Sequence, residues 1–275
     1  MSRMRVLLDG RVISNRFPGI GRYTRNLAVA LAESGLVDLQ LLIDPSIREA
    51  KADLHALPQH PRIEILAVKA KPSGLRQHYQ LLRLARRLSP DVWHSPWYMM
   101  PWLRLRCPLV VTFYDTIPFT LPRFWSAHQR ILFKLAHRLS FRSMARGIVL
   151  SESAKRDLVR LLGAPSDCLE LIPPGASQDF TPQKAVDVQR FKSAHGLDRD
   201  YLLYVGINKP SKNLVRLVRA YDRVRISCGT SSPLLVIAGP WDERYPESRQ
   251  AVAEKGLGDW VRFLGTVAEP DLPNL

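Results

Sequence analysis

The chain has 275 residues, of which 46% are hydrophobic and 24% charged, a composition typical of folded domains and unlike that of disordered or fibrous proteins. Its three cysteines form no C-x-x-C pair, so neither a disulfide framework nor a zinc knuckle is predicted. Most of the +15 formal charge belongs to residues 1–150, which carry 23 Lys and Arg against 9 Asp and Glu, so this half is expected to face nucleic acid, anionic lipid or a phosphate-bearing substrate.

The amino terminus and the hydropathy pattern predict a cytoplasmic protein. The apolar run Val6–Leu8 is too short for a signal-peptide core. No stretch of about 18 apolar residues is present that could span a bilayer. Peripheral binding at the inner face of the cell membrane is compatible with this pattern.

Strands and helices alternate through residues 1–173, the predicted first domain. Short apolar runs predict strands, and apolar residues at a 3.6-residue period predict helices. The predicted strands are Arg5–Leu8, Leu39–Ile43, Ile63–Val68, Val92–His94, Leu109–Phe113, Gly147–Ser151 and Leu169–Ile172, and the predicted helices are Tyr23–Ala32, Leu75–Leu88, Trp125–Ala145 and Ser153–Leu162. This alternation predicts an α/β domain whose parallel sheet is covered by helices on both faces.

A polar segment rich in proline and glycine, residues 174–200, is predicted to link this domain to a second one, residues 201–275. The alternation resumes there, with strands at Tyr201–Val205, Leu234–Ala238 and Val261–Leu264 and helices at Asn213–Val224 and Glu247–Lys255. A doubly wound domain commonly has five or six strands. The second domain is therefore expected to be truncated, with about 80–100 residues absent.

Two strand ends are candidates for binding phosphate. After the first strand, Gly19 and Gly21 precede a predicted helix, whose amino-terminal N–H groups suit a phosphate or a sugar hydroxyl. The dinucleotide-binding fingerprint is incomplete, because Thr24 stands where a third glycine is needed. The alternative is that Gly19 and Gly21 belong to a turn that requires positive φ and binds no ligand.

The second candidate follows the strand Tyr201–Val205. Gly206 ends that strand, and Lys209 and Lys212 precede a helix. Cations at a helix amino terminus oppose the helix dipole unless an anion binds there. A diphosphate would satisfy this arrangement, and an ordinary solvated loop is the alternative.

No sequence pattern indicates a metal centre. The seven histidines include no H-E-x-x-H motif, and no G-x-S-x-G nucleophile elbow is present. Asp198-Arg-Asp200 has the D-x-D pattern, but it precedes its strand rather than following one, which favours a polar turn. No bound divalent metal is expected.

Six segments occur in the order found in family 4 glycosyltransferases, which the chain resembles over its whole length. These segments are Phe17–Leu27, Asp91–Pro96, Val110–Pro118, Ser151–Asp157, Ile172–Gly175, and Val205-Gly206 with Pro210–Leu214. The chain is most similar to the bacterial mannosyltransferase-like branch. The resemblance implies a GT-B fold, in which two Rossmann-like doubly wound domains face a cleft. It also implies a nucleotide-diphosphate sugar as donor, retention of anomeric configuration, and no metal or other cofactor.

The resemblance also implies roles for individual residues. The donor-binding residues would be Gly19, Gly21, Gly206, Lys209 and Lys212. The candidate catalytic residues, on loops that face the acceptor in relatives, are His94, Tyr114 and Asp115. The chain departs from the family at Ser211, where Arg is frequent, and at Tyr114, where His is frequent. Relatives hold the donor with two further glutamates that would lie beyond residue 275, so this chain alone is expected to be inactive or nearly so.

A basic stripe marks the predicted helix Trp125–Ala145. Its members, which recur every four residues beside apolar side chains, are Arg130, Lys134, Arg138 and Arg142. Basic amphipathic helices of this kind bind anionic membranes, so these four residues are predicted to face a membrane. A helix with a core face and a solvated basic face is the alternative.

Together these features predict a glycosyltransferase that moves a hexose, with mannose favoured, to a glycan or lipid-linked acceptor in cell-surface polysaccharide synthesis. One alternative is a nucleotide-sugar 2-epimerase of the same fold. Another is a basic nucleic-acid-binding protein, which is disfavoured because aromatic residues are not interleaved with the basic stripe and no nucleic-acid-binding module is recognisable. No nucleic-acid partner is therefore expected.

Overall fold

The computed structural model describes residues 3–13, 18–45, 60–71, 74, 76–177 and 179–275. Clustering of the Cα positions divides the chain into two compact units, residues 1–175 and residues 176–275. The described strands of each unit pair in parallel. Phe17 and Leu75, which belong to the predicted motifs and helices, lie outside the described residues.

The first unit contains a seven-stranded sheet, and helices lie in several of the described connections between its strands. Its strands are β1 (Met4–Asp9), β2 (Val37–Ile43), β3 (Ile63–Ala67), β4 (Val92–Ser95), β5 (Leu109–Phe113), β6 (Arg146–Val149) and β7 (Leu169–Leu171). Its described helices are α1 (Pro18–Glu33), α2 (Arg76–Leu88), α3 (Ile117–Thr120), α4 (Ala127–Ser143) and α5 (Glu152–Asp157), the last continuing as a π-helix over Leu158–Leu162. The strand order is β3-β2-β1-β4-β5-β6-β7, which confirms the predicted α/β class.

The sheet of this unit is covered on both faces because its strands are apolar on both sides. In β1, Val6 and Leu8 belong to one buried cluster, which includes Ala28 of α1. Leu7 belongs to a second cluster, which includes Leu81 of α2. Successive side chains of a strand point to opposite faces, so α1 and α2 lie on opposite sides of the sheet, as in a doubly wound fold.

Local sequence signals explain most of the helix ends. Helix α4 begins after Ser126, whose hydroxyl accepts a hydrogen bond from the Gln129 backbone N–H while the Gln129 side chain accepts one from the Ser126 N–H, a capping box. Gly163, with φ of 74°, ends the π-helical turn. Helix α1 begins at Pro18 rather than at the predicted Tyr23, because proline favours the first helical turn and outweighs the low helix propensity of the two glycines that follow.

The second unit contains a three-stranded sheet of order β10-β9-β8. Its elements are β8 (Tyr201–Val205), β9 (Leu234–Ala238) and β10 (Val261–Gly265), with α6 (Ala185–Ala194), α7 (Leu214–Cys228) and α8 (Glu247–Glu254). Helix α6 lies inside the predicted linker 174–200, and its Phe191 is buried with Leu197 and Val236. Residues 176–200 thus belong to the second compact unit, which begins well before Tyr201.

Strand β8 forms an open edge of this small sheet. Its sequence, YLLYV, contains no charged residue, and Leu202, Leu203 and Val205 are each about half exposed. The other edge strands each carry a charge, at Glu64 in β3, Glu170 in β7 and Arg262 in β10. Charged residues on edge strands oppose pairing with other chains, and β8 lacks this protection.

A buried ion pair closes the carboxyl end of β1. The Arg11 guanidinium donates to both carboxylate oxygens of Asp9, at 2.7 and 2.6 Å, and its remaining N–H groups reach the Ala70 carbonyl and the Gln77 side chain. Arg11 is 2% exposed and Asp9 3%. Because each charge is desolvated, the pair must stay intact for either group to remain buried.

Replacing Asp9→Asn should therefore destabilise the first unit strongly. The substitution leaves the Arg11 charge buried without its counter-ion, which typically costs about 3–5 kcal/mol. Urea denaturation followed by circular dichroism would measure the change. Asp38→Asn is the matched control, because Asp38 pairs with Arg3 at 3.6 Å with both side chains about half exposed, a pair expected to contribute less than about 1 kcal/mol. Equal effects of the two substitutions would contradict the assignment.

Candidate active site

The candidate catalytic residues of the first unit lie at the carboxyl ends of β4 and β5. His94 is in β4, opposite Val110 of β5, and Tyr114 and Asp115 directly follow β5. Ligands bind open parallel sheets at this edge. The structure thus brings together the three residues that the motifs indicated.

His94 is shielded from solvent. It is 7% exposed, and its Nε2 lies 2.9 Å from the Thr112 hydroxyl. Burial lowers the pKa of His94 to about 4, so the imidazole is neutral at pH 7. The hydrogen bond with Thr112 fixes the orientation of this neutral, enclosed imidazole.

Tyr114 and Asp115 lie in different environments. The Tyr114 hydroxyl is buried and has no hydrogen-bond partner among the described residues, and burial raises its pKa. Its ring lies edge-on to the Tyr23 ring, with centroids 5.8 Å apart. Asp115 is exposed, and its Oδ1 accepts a hydrogen bond from the Ile117 N–H, which anchors the start of α3. An unsatisfied buried hydroxyl beside an exposed carboxylate is the arrangement of a site that binds a polar ligand.

The two glycines of the first candidate loop lie in the first turns of α1. Gly21 is buried and Gly19 is exposed, and a Cβ added at Gly19 would meet no atom within 4 Å. Both glycines are helical, so the alternative explanation, a turn that requires positive φ, is wrong. Gly19 instead leaves the backbone N–H groups at this helix end unobstructed on that side.

In the second unit, two glycines let the ends of β8 and β9 approach each other closely. Gly206 has φ of 154° and Gly239 has φ of 131°. A Cβ on Gly239 would lie 2.5 Å from the Gly206 carbonyl oxygen, and the Gly206 N–H donates to the Ala238 carbonyl. A side chain at Gly239 would push the two loops apart, whereas one at Gly206 would meet the Tyr204 side chain.

Lys209 and Lys212 lie on the loop between β8 and α7, and both are exposed. The neighbouring Asn208 is buried and holds this loop against the one that follows β9. Its amide donates to the carbonyls of Asp242 and Tyr245, and its carbonyl oxygen accepts from the Asp242 N–H at 2.6 Å. The lysines therefore extend from a braced loop at the carboxyl edge of the sheet.

Asp242 influences the charge of this loop. Its carboxylate receives two hydrogen bonds from the Arg244 guanidinium, which lower the pKa of Asp242 to about 2, and Lys209 adds a smaller effect in the same direction. Asp242 therefore stays ionised and partly offsets Lys209. Lys212 is the more independent positive charge of the two.

The basic stripe on α4 is divided between partly covered and exposed positions. Arg130 and Lys134 are partly covered, with the Arg130 guanidinium 5.3 Å from the centre of the Phe119 ring, whereas Arg138 and Arg142 are exposed. Large apolar side chains share the exposed surface. We call the following set the apolar–basic surface: Phe124, Trp125, Ile131, Leu132, Leu135, Arg138 and Arg142.

Metal binding and membrane crossing place different requirements on the described residues. Among the residues described, no three His, Cys, Asp or Glu side chains converge as a metal site. Asp200 directly precedes β8, and its carbonyl accepts from the Leu234 N–H, as expected for a turn that enters a sheet. None of the described helices has the length and apolar character needed to cross a bilayer.

Three residues of these sites were assigned no role from the sequence. Thr112 and Tyr23 contact the candidate catalytic residues, and Asn208 braces the lysine loop. A signal for Thr112 was present, since a single polar residue interrupts the buried strand LVVTF. Tyr23 and Asn208 gave no such signal, because their partners come from other loops and strands.

Comparison with known proteins identifies relatives over nearly the whole chain. An O-antigen chain mannosyltransferase B from Escherichia coli is 27% identical over 294 aligned residues, which cover 99% of this chain and 74% of that protein. Anabaena HepE, solved with UDP-glucose, is 16% identical with a TM-score of 0.70, covering 99% of this chain and 71% of that one. A sucrose-phosphate synthase from Thermosynechococcus elongatus is 18% identical with a TM-score of 0.71, covering 99% and 73%.

The structural likeness shows that the two units have the GT-B fold, as the sequence motifs predicted. Two family models divide the chain between them. The model for glycosyl transferases group 1 matches residues 186–275. The model for Glycosyltransferase Family 4 matches residues 18–180, more than half of the chain. The chain therefore belongs to the family 4 glycosyltransferases.

Proposed function

We propose that this glycosyltransferase moves a hexose, with mannose favoured, from a nucleotide-diphosphate sugar to a glycan or lipid-linked acceptor. The likeness to an O-antigen mannosyltransferase supports the sugar and the acceptor class. HepE is a structural neighbour solved with UDP-glucose, which supports a nucleotide-sugar donor. The proposal includes retention of the anomeric configuration and a reaction without metal or other cofactor.

The exposed lysines that follow β8 are the observation that carries this proposal. When a nucleoside diphosphate leaves, negative charge accumulates on its phosphate oxygens. Preplaced positive groups stabilise that charge in the transition state without having to reorganise. Lys212 is exposed on a loop that Asn208 holds in place, and it lies directly before the amino terminus of α7, whose dipole adds to the attraction for an anion. Lys209 and Gly206 complete the donor-binding group.

On the first unit, His94, Tyr114 and Asp115 are assigned to the acceptor. Tyr114 offers a hydroxyl without a protein partner, and Asp115 offers an exposed carboxylate. His94 is enclosed, and Thr112 holds its Nε2 in place. Gly19 and Gly21 lie at the amino end of α1, where unobstructed N–H groups would attract a phosphate or a sugar hydroxyl.

The apolar–basic surface is assigned to an anionic membrane, where a lipid-linked acceptor would be found. Ile131, Leu135, Arg138 and Arg142 follow one another at three- or four-residue spacing and so share one face of α4. Apolar side chains enter the acyl boundary of a bilayer while neighbouring cations contact anionic headgroups. The placement would keep the enzyme cytoplasmic and peripheral to the inner face of the membrane.

Lys212→Ala should weaken binding of nucleoside diphosphates. A charge-assisted hydrogen bond contributes about 1.5–3 kcal/mol, so the dissociation constant should rise by roughly 10–150-fold. Calorimetric titration of UDP and GDP would measure the change. Lys184→Ala is the matched control, because Lys184 is an exposed lysine of the same unit at the start of α6, and it should leave affinity unchanged.

Two results would contradict the donor proposal. One is unchanged affinity in Lys212→Ala, and the other is failure of every nucleoside diphosphate to bind the unsubstituted chain. The chemistry is tested separately in a version of the protein extended to the length of its relatives, by incubating nucleotide sugars without acceptor. Release of a free epimerised donor would show a 2-epimerase instead of a transferase.

Ile131→Ser combined with Leu135→Ser should reduce binding to vesicles that contain phosphatidylglycerol. Membrane insertion contributes about 0.8 kcal/mol per buried methylene. The two substitutions together remove several such groups, so the double variant should bind vesicles roughly tenfold or more weakly. Vesicle flotation would measure it. Leu36→Ser is the control, because Leu36 is 74% exposed in the same unit but outside this surface. Equal flotation of the double variant and the control would refute the membrane assignment.

A further inference from the structure

Arg130 occupies a partly covered position that separates it from the exposed end of the basic stripe. It is the fourth residue of α4, and its guanidinium carbon lies 5.3 Å from the centre of the Phe119 ring. Arg138 and Arg142 are exposed on later turns of the same helix. At about 1.5 Å of rise per residue, Arg130 and Arg142 are about 18 Å apart along the helix axis. The apolar–basic surface, which contains Arg142, therefore leaves Arg130 without an assigned role.

The side chain of Arg130 has hydrogen-bond donors without acceptors in the part of the chain that the structure describes. Its Nε is buried and has no hydrogen-bond partner there, and Arg130 takes part in none of the ion pairs between described residues. The Phe119 ring attracts the positive charge but offers no acceptor oxygen. Covered charges are ordinarily paired, as with Arg225, which lies partly covered 3.6 Å from the Asp222 carboxylate. Arg130 therefore has donors available for an anionic ligand.

Lys134 adds a second positive charge one turn further along α4. It too is partly covered, and no ion pair among the described residues includes it. Residues four apart share one face of a helix, where like charges repel each other. No Asp or Glu occurs from Thr116 to Ser151, so α3 and α4 supply no carboxylate to either cation. We call Arg130 and Lys134 the cation pair. An anion bound by both side chains would replace their repulsion with attraction.

The cation pair lies beside the candidate active site of the first unit. Asp115 Oδ1 accepts a hydrogen bond from the Ile117 N–H at 3.0 Å, which fixes the start of α3 directly after the catalytic loop. Phe119 of α3 contacts the Arg130 guanidinium, and its ring centre lies 6.1 Å from that of Phe133 in α4. A helix that joins two parallel strands starts near their carboxyl edge, so the first turns of α4 lie on the side of the sheet where ligands bind.

A phosphate group matches this pair of side chains better than other polar groups do. The planar guanidinium of arginine donates two parallel hydrogen bonds to phosphate oxygens, and the ammonium of lysine adds a compact charge. A phosphate monoester carries more than one negative charge and several acceptor oxygens, so it can satisfy both cations at once. A neutral sugar hydroxyl would leave their repulsion in place.

We propose that Arg130 and Lys134 form a phosphate-binding site beside the candidate active site, for a phosphate carried by the acceptor or by an anionic lipid headgroup. The inference rests on the proposed function only for the origin of this phosphate. Phe119 holds the guanidinium in position, and α3 connects Phe119 to Asp115. A phosphate on the acceptor would thus be held at a fixed place relative to the catalytic loop.

The Nε–H resonance of Arg130 tests the site directly. In protein labelled with nitrogen-15 arginine, this resonance is identified by its absence from Arg130→Lys, which keeps the positive charge and should keep the fold. Mannose 1-phosphate, a sugar phosphate without lipid, should shift the resonance in a saturable manner because its oxygens bind the guanidinium. Mannose alone, and sodium chloride at the same ionic strength, should not shift it. An equal shift with mannose would overturn the proposal.

A soluble lipid distinguishes the two sources of phosphate. Dihexanoylphosphatidylglycerol, used below the concentration at which it forms micelles, presents a headgroup phosphate without a bilayer. Tighter binding of mannose 1-phosphate at Arg130 would assign the site to the acceptor, and tighter binding of the lipid would assign it to the headgroup. Either result supports a phosphate site, whereas no shift with both probes would refute it.

Lys134→Gln tests the second cation through the resonance of the first. Losing one charge-assisted contact should raise the dissociation constant of mannose 1-phosphate, measured at Arg130 Nε–H, by roughly tenfold or more. Arg87→Gln is the matched control, because it also removes one positive charge, from an exposed arginine in the last turn of α2 in the same unit. The control should leave the dissociation constant unchanged. Equal effects of the two substitutions, or no effect of Lys134→Gln, would contradict the two-cation site.

Nucleotide titration separates this inference from the proposed function. If mannose 1-phosphate shifts Arg130 while calorimetry shows that no nucleoside diphosphate binds, the donor proposal fails and the phosphate site stands. If UDP or GDP binds and Lys212→Ala weakens that binding, while neither phosphate probe shifts Arg130, only the present inference fails.

Discussion

Parallel pairing of β1, β4 and β5 is the constraint on which the candidate active site of the first unit depends. Parallel strands place all their carboxyl ends at one edge. The alternation of side chains along each strand then divides the residues between the two faces. Trp93 and Val111 join the buried cluster on the α2 side, while their neighbours His94 and Thr112 form a hydrogen bond with each other. A shift of one residue in register would move this polar pair into the apolar cluster.

The two units hold their polar groups by contrasting means. In the first, burial keeps His94 neutral and encloses the Asp9–Arg11 pair, so hydrogen bonds must be satisfied inside the protein. In the second, Lys209 and Lys212 remain exposed on a loop braced by Asn208. The hydrogen bonds of the desolvated His94 are fixed before any ligand binds. The solvated ammonium groups of Lys209 and Lys212 stay fully charged and can bind an anion.

The sequence predicted elements more accurately than it predicted contacts. The bounds of β5, β8 and β9 agree with the structure because each is a short, largely apolar run. The start of α1 was missed because local propensity underestimates a helix that contains glycines. Side-chain partners such as Thr112 and His94 depend on the register of strands 18 residues apart in the chain, which no local pattern encodes. On α4 the basic residues were recognised, but their exposure was not, since Arg130 packs on Phe119 while Ile131 faces solvent.

The uncharged edge of β8 indicates its place in a larger sheet. Its backbone N–H and C=O groups on that side, flanked by Leu203 and Val205, are not paired within the described three-stranded sheet. An apolar run without charges is typical of a strand in the interior of a parallel sheet, and a doubly wound domain commonly has five or six strands. β8 therefore has the character of a central strand, and its open side is where such a sheet would continue.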